Sequence, residues 1–213
     1  MFIRIGGIPG VGKSTIIANM TKIANECGLP IERIKGGDYL LRLAHVSTYE
    51  ELRALPEEFR ASLRPEMYRQ MYEDDRKTSG IIKLRDAHYS LVDSETGKVI
   101  IFPLLPEDGE QMLSMVLLVA SPEVILERRK LEASRNDRYL DLELIRKEQE
   151  TEKETAISQA ASLGRELIII DNSESNGMSV YREMIVRAFP DGNMGSTLES
   201  ALTRSTLIGK ELM

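Results

Sequence analysis

The feature that most constrains the fold is a glycine-rich segment close to the N-terminus. Residues 7–14 read GIPGVGKS and match the pattern G-x-x-x-x-G-K-[ST], between an apolar run at residues 2–5 and a stretch with helical character. Glycines let the backbone curl so that successive N–H groups point inward, and the following helix adds the positive end of its dipole. The pattern therefore predicts a phosphate-binding loop between a first strand and a first helix.

The loop pattern also predicts chemical roles for its residues. Lys13 is expected to reach the β- and γ-phosphates of ATP, and the Ser14 hydroxyl is expected to ligate the Mg²⁺ that bridges them. A chance match in an ordinary turn is the alternative, and the flanking strand and helix argue against it. The predicted nucleotide-binding residues are Gly7, Ile8, Pro9, Gly10, Val11, Gly12, Lys13, Ser14 and Thr15.

Composition is that of an ordinary globular protein. The chain has 213 residues, of which 42% are hydrophobic and 29% are charged, and its net charge is −6. This length suits one α/β domain with a sizeable core. The negative charge disfavours a general nucleic-acid binder, although local basic clusters can still bind phosphate.

Three features bear on the cellular location. The lone Cys27 excludes an internal disulfide framework and favours a reducing compartment. The longest apolar run, residues 112–120, is much shorter than a membrane span. A strand is expected within a few residues of Met1, so we expect no signal peptide before the fold. Together these features predict a cytoplasmic protein without a membrane partner.

Apolar runs and helical stretches alternate along the chain. The predicted strands are residues 2–6, 31–35, 81–84, 115–119 and 166–170. Helical patterns separate them, the clearest being residues 13–26, 121–130, 141–163 and 179–189. The alternation predicts an α/β fold with a doubly wound parallel sheet and right-handed crossovers. Ligands of such sheets bind at the carboxyl ends of the strands, where the phosphate loop lies.

Residues 48–79 form a helical region between the second and third strands. Before this region, a glycine turn at residues 36–39 is expected to open a helix that carries Leu40, Leu41 and Leu43. Pro65 is expected either to separate two helices or to kink a single one. The arginines of this region fit a solvated helix face, namely Arg60, Arg64 and Arg69.

Two other segments have weaker patterns. Residues 90–93 and 98–102 flank a turn and are expected to form either a hairpin or a loop excursion. After Pro190 the composition becomes rich in Gly, Ser and Thr. We expect the tail, residues 190–213, to be either disordered or a helix that docks on the domain.

A carboxylate follows the third predicted strand. Asp86 comes two residues after it, at the edge of the sheet where the phosphate loop is expected. Phosphate-loop enzymes place at this point the acid that holds Mg²⁺ through its water shell. The alternative is an ordinary Asp in a turn. Ser14 and Asp86 are therefore the predicted metal-binding residues.

A cationic cluster follows the fourth predicted strand and its helix. Arginines stabilise a phosphoryl group during transfer, because the guanidinium stays charged and pairs with phosphate through two hydrogen bonds. A lid that closes over the site and a solvated helix end that complements the helix dipole are equally good interpretations. The cluster consists of Arg128, Arg129, Lys130, Arg135 and Arg138.

The order and approximate spacing of these features resemble the archaeal-type adenylate kinases over residues 1–189. The resemblance rests on the loop with Thr15, Gly37-Asp38-Tyr39, Asp86-Ala87-His88 and the arginine cluster. It implies a nucleoside monophosphate kinase of the P-loop NTPase fold, with a five-stranded parallel sheet and helices on both faces. It also implies a helical monophosphate-binding region at about residues 38–79 and a lid at about residues 130–140.

The same resemblance implies an activity and the residues that carry it out. The activity is Mg²⁺-dependent transfer from ATP to AMP to give two ADP, often by a homotrimer. Asp38 lies at the entry to the monophosphate region, Arg53 matches an arginine that holds the acceptor phosphate, and His88 matches the family's Asp-Thr-His. The catalytic residues would then be Lys13, Asp86, Arg128, Arg135 and Arg138.

Three positions depart from the family pattern and bear on the acceptor. Ala87 replaces the usual Thr, the lid reads Arg-Asn-Asp-Arg where the family tends toward Arg-x-Arg, and Pro65 interrupts a helix expected to be continuous. One alternative is a kinase of another small acceptor, such as CMP or a non-nucleotide alcohol. Another is an ATPase switch in RNA processing or assembly, which the tail after Pro190 would favour.

Overall fold

The computed structural model describes residues 1–78, 80–92, 97–131, 140–174, 178–189 and 192–211. The strands are β1 (Phe2–Gly6), β2 (Ile31–Lys35), β3 (Ile82–Asp86), β4 (Ser90–Val92), β5 (Val99–Ile101), β6 (Met112–Val119) and β7 (Leu167–Asp171). The helices are α1 (Lys13–Glu26), α2 (Gly36–Leu43), α3 (Tyr49–Ala54), α4 (Glu57–Lys77), α5 (Pro106–Gln111), α6 (Pro122–Leu131), α7 (Leu142–Ser162), α8 (Met178–Ala188) and α9 (Gly192–Glu211).

Five strands form one parallel sheet in the order β2-β3-β1-β6-β7, as predicted. The central strand is β1, and its Ile5 pairs with Asp86 of β3 on one side and Val116 of β6 on the other. All residues of β1 are buried, which explains its nearly continuous apolar sequence. Because β1 and β3 are neighbours, the loop after β1 lies beside the end of β3.

Helices cover both faces of the sheet, which confirms the predicted fold class. Ile3 and Ile5 belong to a buried cluster with residues of α1, α8 and α9. Phe2 belongs to a second cluster, with Tyr72 of α4 and Ala156 of α7. Alternate residues of β1 therefore serve opposite faces, as the pleat of a strand requires.

The helical region agrees with its prediction at one point and narrows it at another. Residues 36–39 are the first turn of α2, so the glycine turn opens this helix as predicted. Pro65 lies inside α4, which continues to Lys77. Of the two expectations for Pro65, two separate helices is therefore wrong. Proline removes its own N–H from the helix ladder, but packing of Met67, Met71 and Tyr72 into the domain holds the helix together.

Several element boundaries also differ from the prediction. The third strand runs through Asp86 and thus includes the predicted site residue. The strand predicted at residues 115–119 is β6, which already begins at Met112. Ser114 can lie inside this strand because its hydroxyl donates to the Ala188 carbonyl. Helix α5 has no counterpart in the prediction. The hairpin of β4 and β5 is confirmed, and its turn at residues 93–96 lies outside the described residues.

The tail contains a helix that docks on the domain. Leu198 and Leu202 of α9 are buried in the same cluster as α1 and α8. Of the two expectations for the tail, the docking helix describes residues 192–203. Within the described part of the chain, no helix is both long and apolar enough to cross a membrane.

Candidate active site

The carboxyl edge of the parallel sheet opens into a cleft of about 1460 Å³. The phosphate loop and the start of α1 line one wall, and residues of α2, α3 and α4 line the opposite wall. The end of β3 and the segment that follows it also line the cleft. The cleft therefore joins the predicted nucleotide loop to the helical region.

The phosphate loop has the conformation that its glycines predict. Gly7 and Gly12 have φ angles of 140° and 94°, in a region that residues with a Cβ rarely adopt. A Cβ on Gly7 would lie 2.7 Å from the carbonyl oxygen of Leu118. Helix α1 begins at Lys13, so the positive end of its dipole lies at the loop.

We call the phosphate loop, the start of α1 and the end of β3 the donor wall. Lys13 and Asp86 lie on this wall. Lys13 Nζ donates to the Gly7 carbonyl over 2.8 Å and lies 3.7 Å from Asp86 Oδ1. Asp86 Oδ2 accepts from the Ser14 hydroxyl over 3.1 Å and lies 2.5 Å from the guanidinium of Arg33. The structure thus brings together the three predicted residues and adds Arg33 of β2, which sequence reasoning missed.

The surroundings of Asp86 favour its ionised form. Burial alone would raise its pKa, but the charge of Lys13, together with the hydrogen bond and charge of Arg33, holds the pKa below its ordinary value. A carboxylate and the Ser14 hydroxyl are oxygen ligands that suit Mg²⁺, which often takes one or two protein oxygens beside phosphate and water. Among the described residues, no group of three or more His, Cys, Asp or Glu could hold a metal ion.

Arg128 of α6 contacts the backbone of the phosphate loop. Its guanidinium donates to the Val11 carbonyl over 3.1 Å and to the Asn172 carbonyl over 2.8 Å, and burial lowers its pKa. Asn172, just after β7, donates from Nδ2 to the same Val11 carbonyl over 2.8 Å. Both side chains therefore hold the loop. Sequence reasoning missed Asn172, because no motif links the last strand to the loop.

The predicted lid arginines, Arg135 and Arg138, lie outside the described residues. The segment that contains them joins α6, which ends at Leu131, to α7, which begins at Leu142. Asp141 caps α7 by accepting a hydrogen bond from the Leu144 N–H over 3.0 Å. The lid assignment stays a prediction.

The opposite wall of the cleft carries three arginines. Arg53 of α3 and Arg60 and Arg64 of α4 line it. The side chains of Arg60 and Arg64 are 25% and 16% exposed, and they pair with Glu57 at 3.1 and 2.5 Å. Arg64 also lies over the ring of Phe102, 5.0 Å from its centroid. We call these three arginines, together with Phe102, the acceptor wall. Their guanidinium groups can hold a second phosphate group.

The interpretation of Arg60, Arg64 and Arg69 as a solvated face is wrong for the first two. Arg69 does fit it, because its side chain is 54% exposed and pairs with Glu66 and Glu73 of the same helix. Positions 60 and 64 are about one turn apart on the cleft side, whereas position 69 is rotated by roughly 140° from position 64. No periodicity in the sequence shows which side of a polar helix faces a cleft.

The other predicted substrate residues lie in different settings. Asp38 is exposed and accepts a hydrogen bond from the Tyr49 hydroxyl, and it is Tyr49 that lines the cleft. His88 follows β3 and lines the cleft directly. Burial and the charge of Lys13 hold the pKa of His88 well below its ordinary value. Its imidazole is therefore neutral at pH 7.

Comparison with known proteins covers most of the chain. Residues 6–146 match a family model described as an AAA domain. The chain is 30% identical to an adenylate kinase of Saccharolobus solfataricus over 194 residues, which cover 85% of this chain and 95% of that protein. It is 31% identical to an adenylate kinase of Saccharolobus islandicus (strain M.14.25) over 185 residues, which cover 81% of this chain and 91% of that protein.

One solved structure is also similar. A shikimate kinase from Bacteroides thetaiotaomicron is 15% identical to the chain with a TM-score of 0.49, covering 99% of this chain and 98% of that chain. The residues that match the AAA-domain family model, 6–146, include the phosphate loop, the acceptor wall and Asp86.

Proposed function

The chain belongs to the adenylate kinase family, and we propose that it transfers the γ-phosphoryl group of ATP to AMP, forming two ADP. The observation that supports the proposal is one cleft with cationic side chains on each wall. Lys13 and the loop lie on the donor wall, and Arg53, Arg60 and Arg64 lie on the acceptor wall. A transferase of this kind needs both sites, whereas an ATPase needs one.

On the donor wall, residues 7–15 bind the triphosphate. The loop N–H groups and the start of α1 hold its oxygens without carrying a net charge. Lys13 donates to the Gly7 carbonyl here, and it turns to the β- and γ-phosphates when ATP is bound. Its positive charge then stabilises the charge that spreads over the phosphoryl oxygens during transfer.

Ser14 and Asp86 are the residues that would hold Mg²⁺, Ser14 through its hydroxyl and Asp86 through water. When bound, the ion neutralises charge on the phosphoryl oxygens. The lowered pKa of Asp86 keeps its carboxylate charged for this role. Lys13 and Arg33 supply that lowering, so they prepare the metal site as well as the phosphate site.

On the acceptor wall, Arg53, Arg60 and Arg64 bind the phosphate of AMP. Guanidinium groups suit it, because they can donate two parallel hydrogen bonds to phosphate oxygens. No general base is needed, since a phosphate monoester is largely deprotonated at neutral pH. His88 therefore acts as a neutral group that contacts the substrate, in line with its lowered pKa. Asp38 supports this wall through its hydrogen bond with Tyr49.

Arg128, Arg135 and Arg138 complete the proposed catalytic set. These cations would stabilise the phosphoryl group in flight and help to exclude water, since ATP is hydrolysed if water reaches it. Arg128 donates to the Val11 and Asn172 carbonyls, so it lies within reach of the loop that binds the phosphates.

The proposal extends to the biological setting of the protein. A cytoplasmic location follows from the lone Cys27, a free and partly buried thiol. The net charge of −6 disfavours a nucleic-acid partner. A homotrimer follows from the family resemblance.

A coupled assay tests the proposed function. ADP formation from ATP and Mg²⁺ is measured with AMP, CMP, GMP, UMP or no acceptor. We expect rapid ADP formation with AMP and little without an acceptor. Preferred transfer to another monophosphate would change the substrate but keep the reaction. ADP formation that is the same with and without AMP would contradict the proposal and favour the ATPase switch.

A further inference from the structure

A buried carboxylate on α7 holds the phosphate loop and the segment after β3 together. Glu152 is 1% exposed. Its Oε1 accepts from the N–H groups of Gly7 and Tyr89, each over 3.0 Å. Its Oε2 accepts from the hydroxyl and the N–H of Ser90, and from the Tyr89 N–H over 3.1 Å. One side chain thus binds three backbone N–H groups from two separate segments.

These contacts begin where the sheet stops. The last backbone bond from β3 to β1 runs from the Ala87 N–H to the Ile5 carbonyl over 3.0 Å. Beyond this bond the two strands diverge. The segment after β1 forms the phosphate loop, and the segment after β3 carries His88. Glu152 bridges the chains at the next positions, so it continues the connection that the ladder no longer provides.

The bridged segments carry the reacting machinery. Gly7, whose N–H binds Glu152, also accepts the Lys13 ammonium through its carbonyl. Asp86 and His88 lie just before Tyr89, so the same bridge sets their distance from the loop. We infer that Glu152 is a positioning residue for phosphoryl transfer, which keeps the loop with Lys13 and the β3 end with Asp86 in register. This inference rests on the proposed function.

The neighbouring buried carboxylate of α7 is bound differently. Glu148, one turn earlier, pairs with the Arg129 guanidinium over 2.6 Å, and Arg129 Nε donates to the Pro9 carbonyl over 2.9 Å. The charge of Glu148 is therefore compensated by a cation, whereas in the described part of the chain the donors to Glu152, from Gly7, Tyr89 and Ser90, are all neutral. A carboxylate can only accept hydrogen bonds, which makes it suited to a site where every neighbour is a donor.

This difference makes Glu152→Gln an informative variant. Glutamine has nearly the same shape, but one of its terminal atoms is an NH₂ donor that would face the backbone N–H groups. Either Gly7 or Ser90 then loses its acceptor, and the two segments shift relative to each other. A misplacement of about 1 Å can reduce turnover by roughly 10²-fold.

The experiment measures kcat and KM for ATP and AMP in wild type, Glu152→Gln and two controls on α7. Glu154→Gln makes the same chemical change at an exposed position. Ala160→Gly loosens α7 itself at a buried position two turns after Glu152. All assays are run at a temperature where each variant is folded by circular dichroism.

The expected result is a 10- to 100-fold lower kcat for Glu152→Gln, with KM for AMP changed less than threefold and both controls near wild type. A kcat within threefold of wild type would overturn the inference. So would an equal fall in kcat for Ala160→Gly, because the effect would then come from general loosening of α7.

Two further measurements keep the inference testable if Glu152→Gln does not fold. Ser90→Ala removes only the hydroxyl donor and is expected to lower kcat two- to fivefold and to shift the Gly7 amide proton resonance. An unchanged rate and resonance would overturn the inference.

If wild type transfers to no monophosphate, the proposed function fails by itself. The affinity for ADP then decides the inference. We expect folded Glu152→Gln to bind ADP about tenfold more weakly than wild type does, and equal affinity would contradict the inference.

Discussion

The two walls of the cleft are built in different ways. The donor wall consists of consecutive residues of one loop together with Asp86 from the end of β3. Lys13 donates to the Gly7 backbone carbonyl, and the Ser14 hydroxyl donates to Asp86. The acceptor wall combines the neighbouring helices α3 and α4 with Phe102, which follows β5, and its Arg64 pairs with Glu57 of its own helix.

This difference separates two kinds of contribution to the reaction. The donor wall holds Lys13, Ser14 and Asp86 close together around the transferring group, so these residues are expected to act mainly on kcat. Arg60 and Arg64 of the acceptor wall pair with Glu57 and would exchange this carboxylate for the phosphate of AMP, so they are expected to act mainly on KM for AMP. Variants on either wall test this difference.

The largest effect is expected for Lys13→Met, which keeps the apolar stem and removes the charge. We expect kcat to fall by about 10³-fold or more, because the ammonium stabilises charge on the transferring group. Lys22→Met, at an exposed position of the same helix, is the control and should remain near wild type. Turnover of Lys13→Met within tenfold of wild type would remove the basis for the donor wall.

The next effect is expected for Asp86→Asn. The amide keeps the shape but loses the charge that faces the metal, so we expect roughly 10- to 100-fold lower turnover at limiting Mg²⁺. A Mg²⁺ titration of kcat should show a higher half-saturating concentration than in wild type. Because Asp86 also pairs with Arg33, Arg33→Lys is measured alongside. A Mg²⁺ titration curve for Asp86→Asn that overlays that of wild type would mean that Asp86 is a structural residue.

A smaller and more selective effect is expected for Arg64→Ala on the acceptor wall. Loss of one hydrogen-bonded charge pair with phosphate should raise KM for AMP about tenfold, with KM for ATP unchanged. Arg69→Ala on the same helix is the matched control, because Arg69 is exposed and pairs with Glu66 and Glu73. Equal changes in both KM values would show that the two walls are not separate sites.

The smallest effect is a pH dependence of stability from His88, which lines the cleft near Lys13. Its folded-state pKa lies below the ordinary value of 6.5, so the unfolded chain binds the proton more readily as pH falls. Between pH 7.5 and 5.5 the free energy of unfolding should therefore fall by up to about 1.4 kcal/mol. Urea unfolding of His88→Asn should lack this component, whereas His45→Asn, at an exposed histidine, should retain it. The opposite pH trend in wild type would contradict the buried, neutral imidazole.

The sequence predicted the donor wall well because its parts are local. Strand, loop and helix are adjacent in the chain, and the glycines, Lys13 and Ser14 each have one role in that pattern. Asp86 was also predicted, since parallel strands end at one edge of the sheet. The strand order confirms the reasoning, because β3 lies next to β1.

The acceptor wall and the supports of the loop could not be predicted in the same way. Arg60 and Arg64 resemble any solvated arginines until the orientation of α4 is known. Glu152 and Asn172 reach the loop from α7 and from the end of β7, more than a hundred residues away in sequence. Tertiary packing brings these polar side chains to the loop, and hydrophobic periodicity carries no information about them. The docking of α9 depends on tertiary packing in the same way.

The central claim, that one cleft holds two nucleotide phosphate sites, is tested most directly by calorimetry with diadenosine pentaphosphate and with ATP. We expect one bisubstrate molecule per chain, bound at least about 100-fold more tightly than ATP, because the covalent link spares part of the entropy of assembling two ligands. Arg64→Ala should weaken the bisubstrate while leaving ATP affinity unchanged. Equal affinity of wild type for the two ligands would contradict the claim and leave a single nucleotide site.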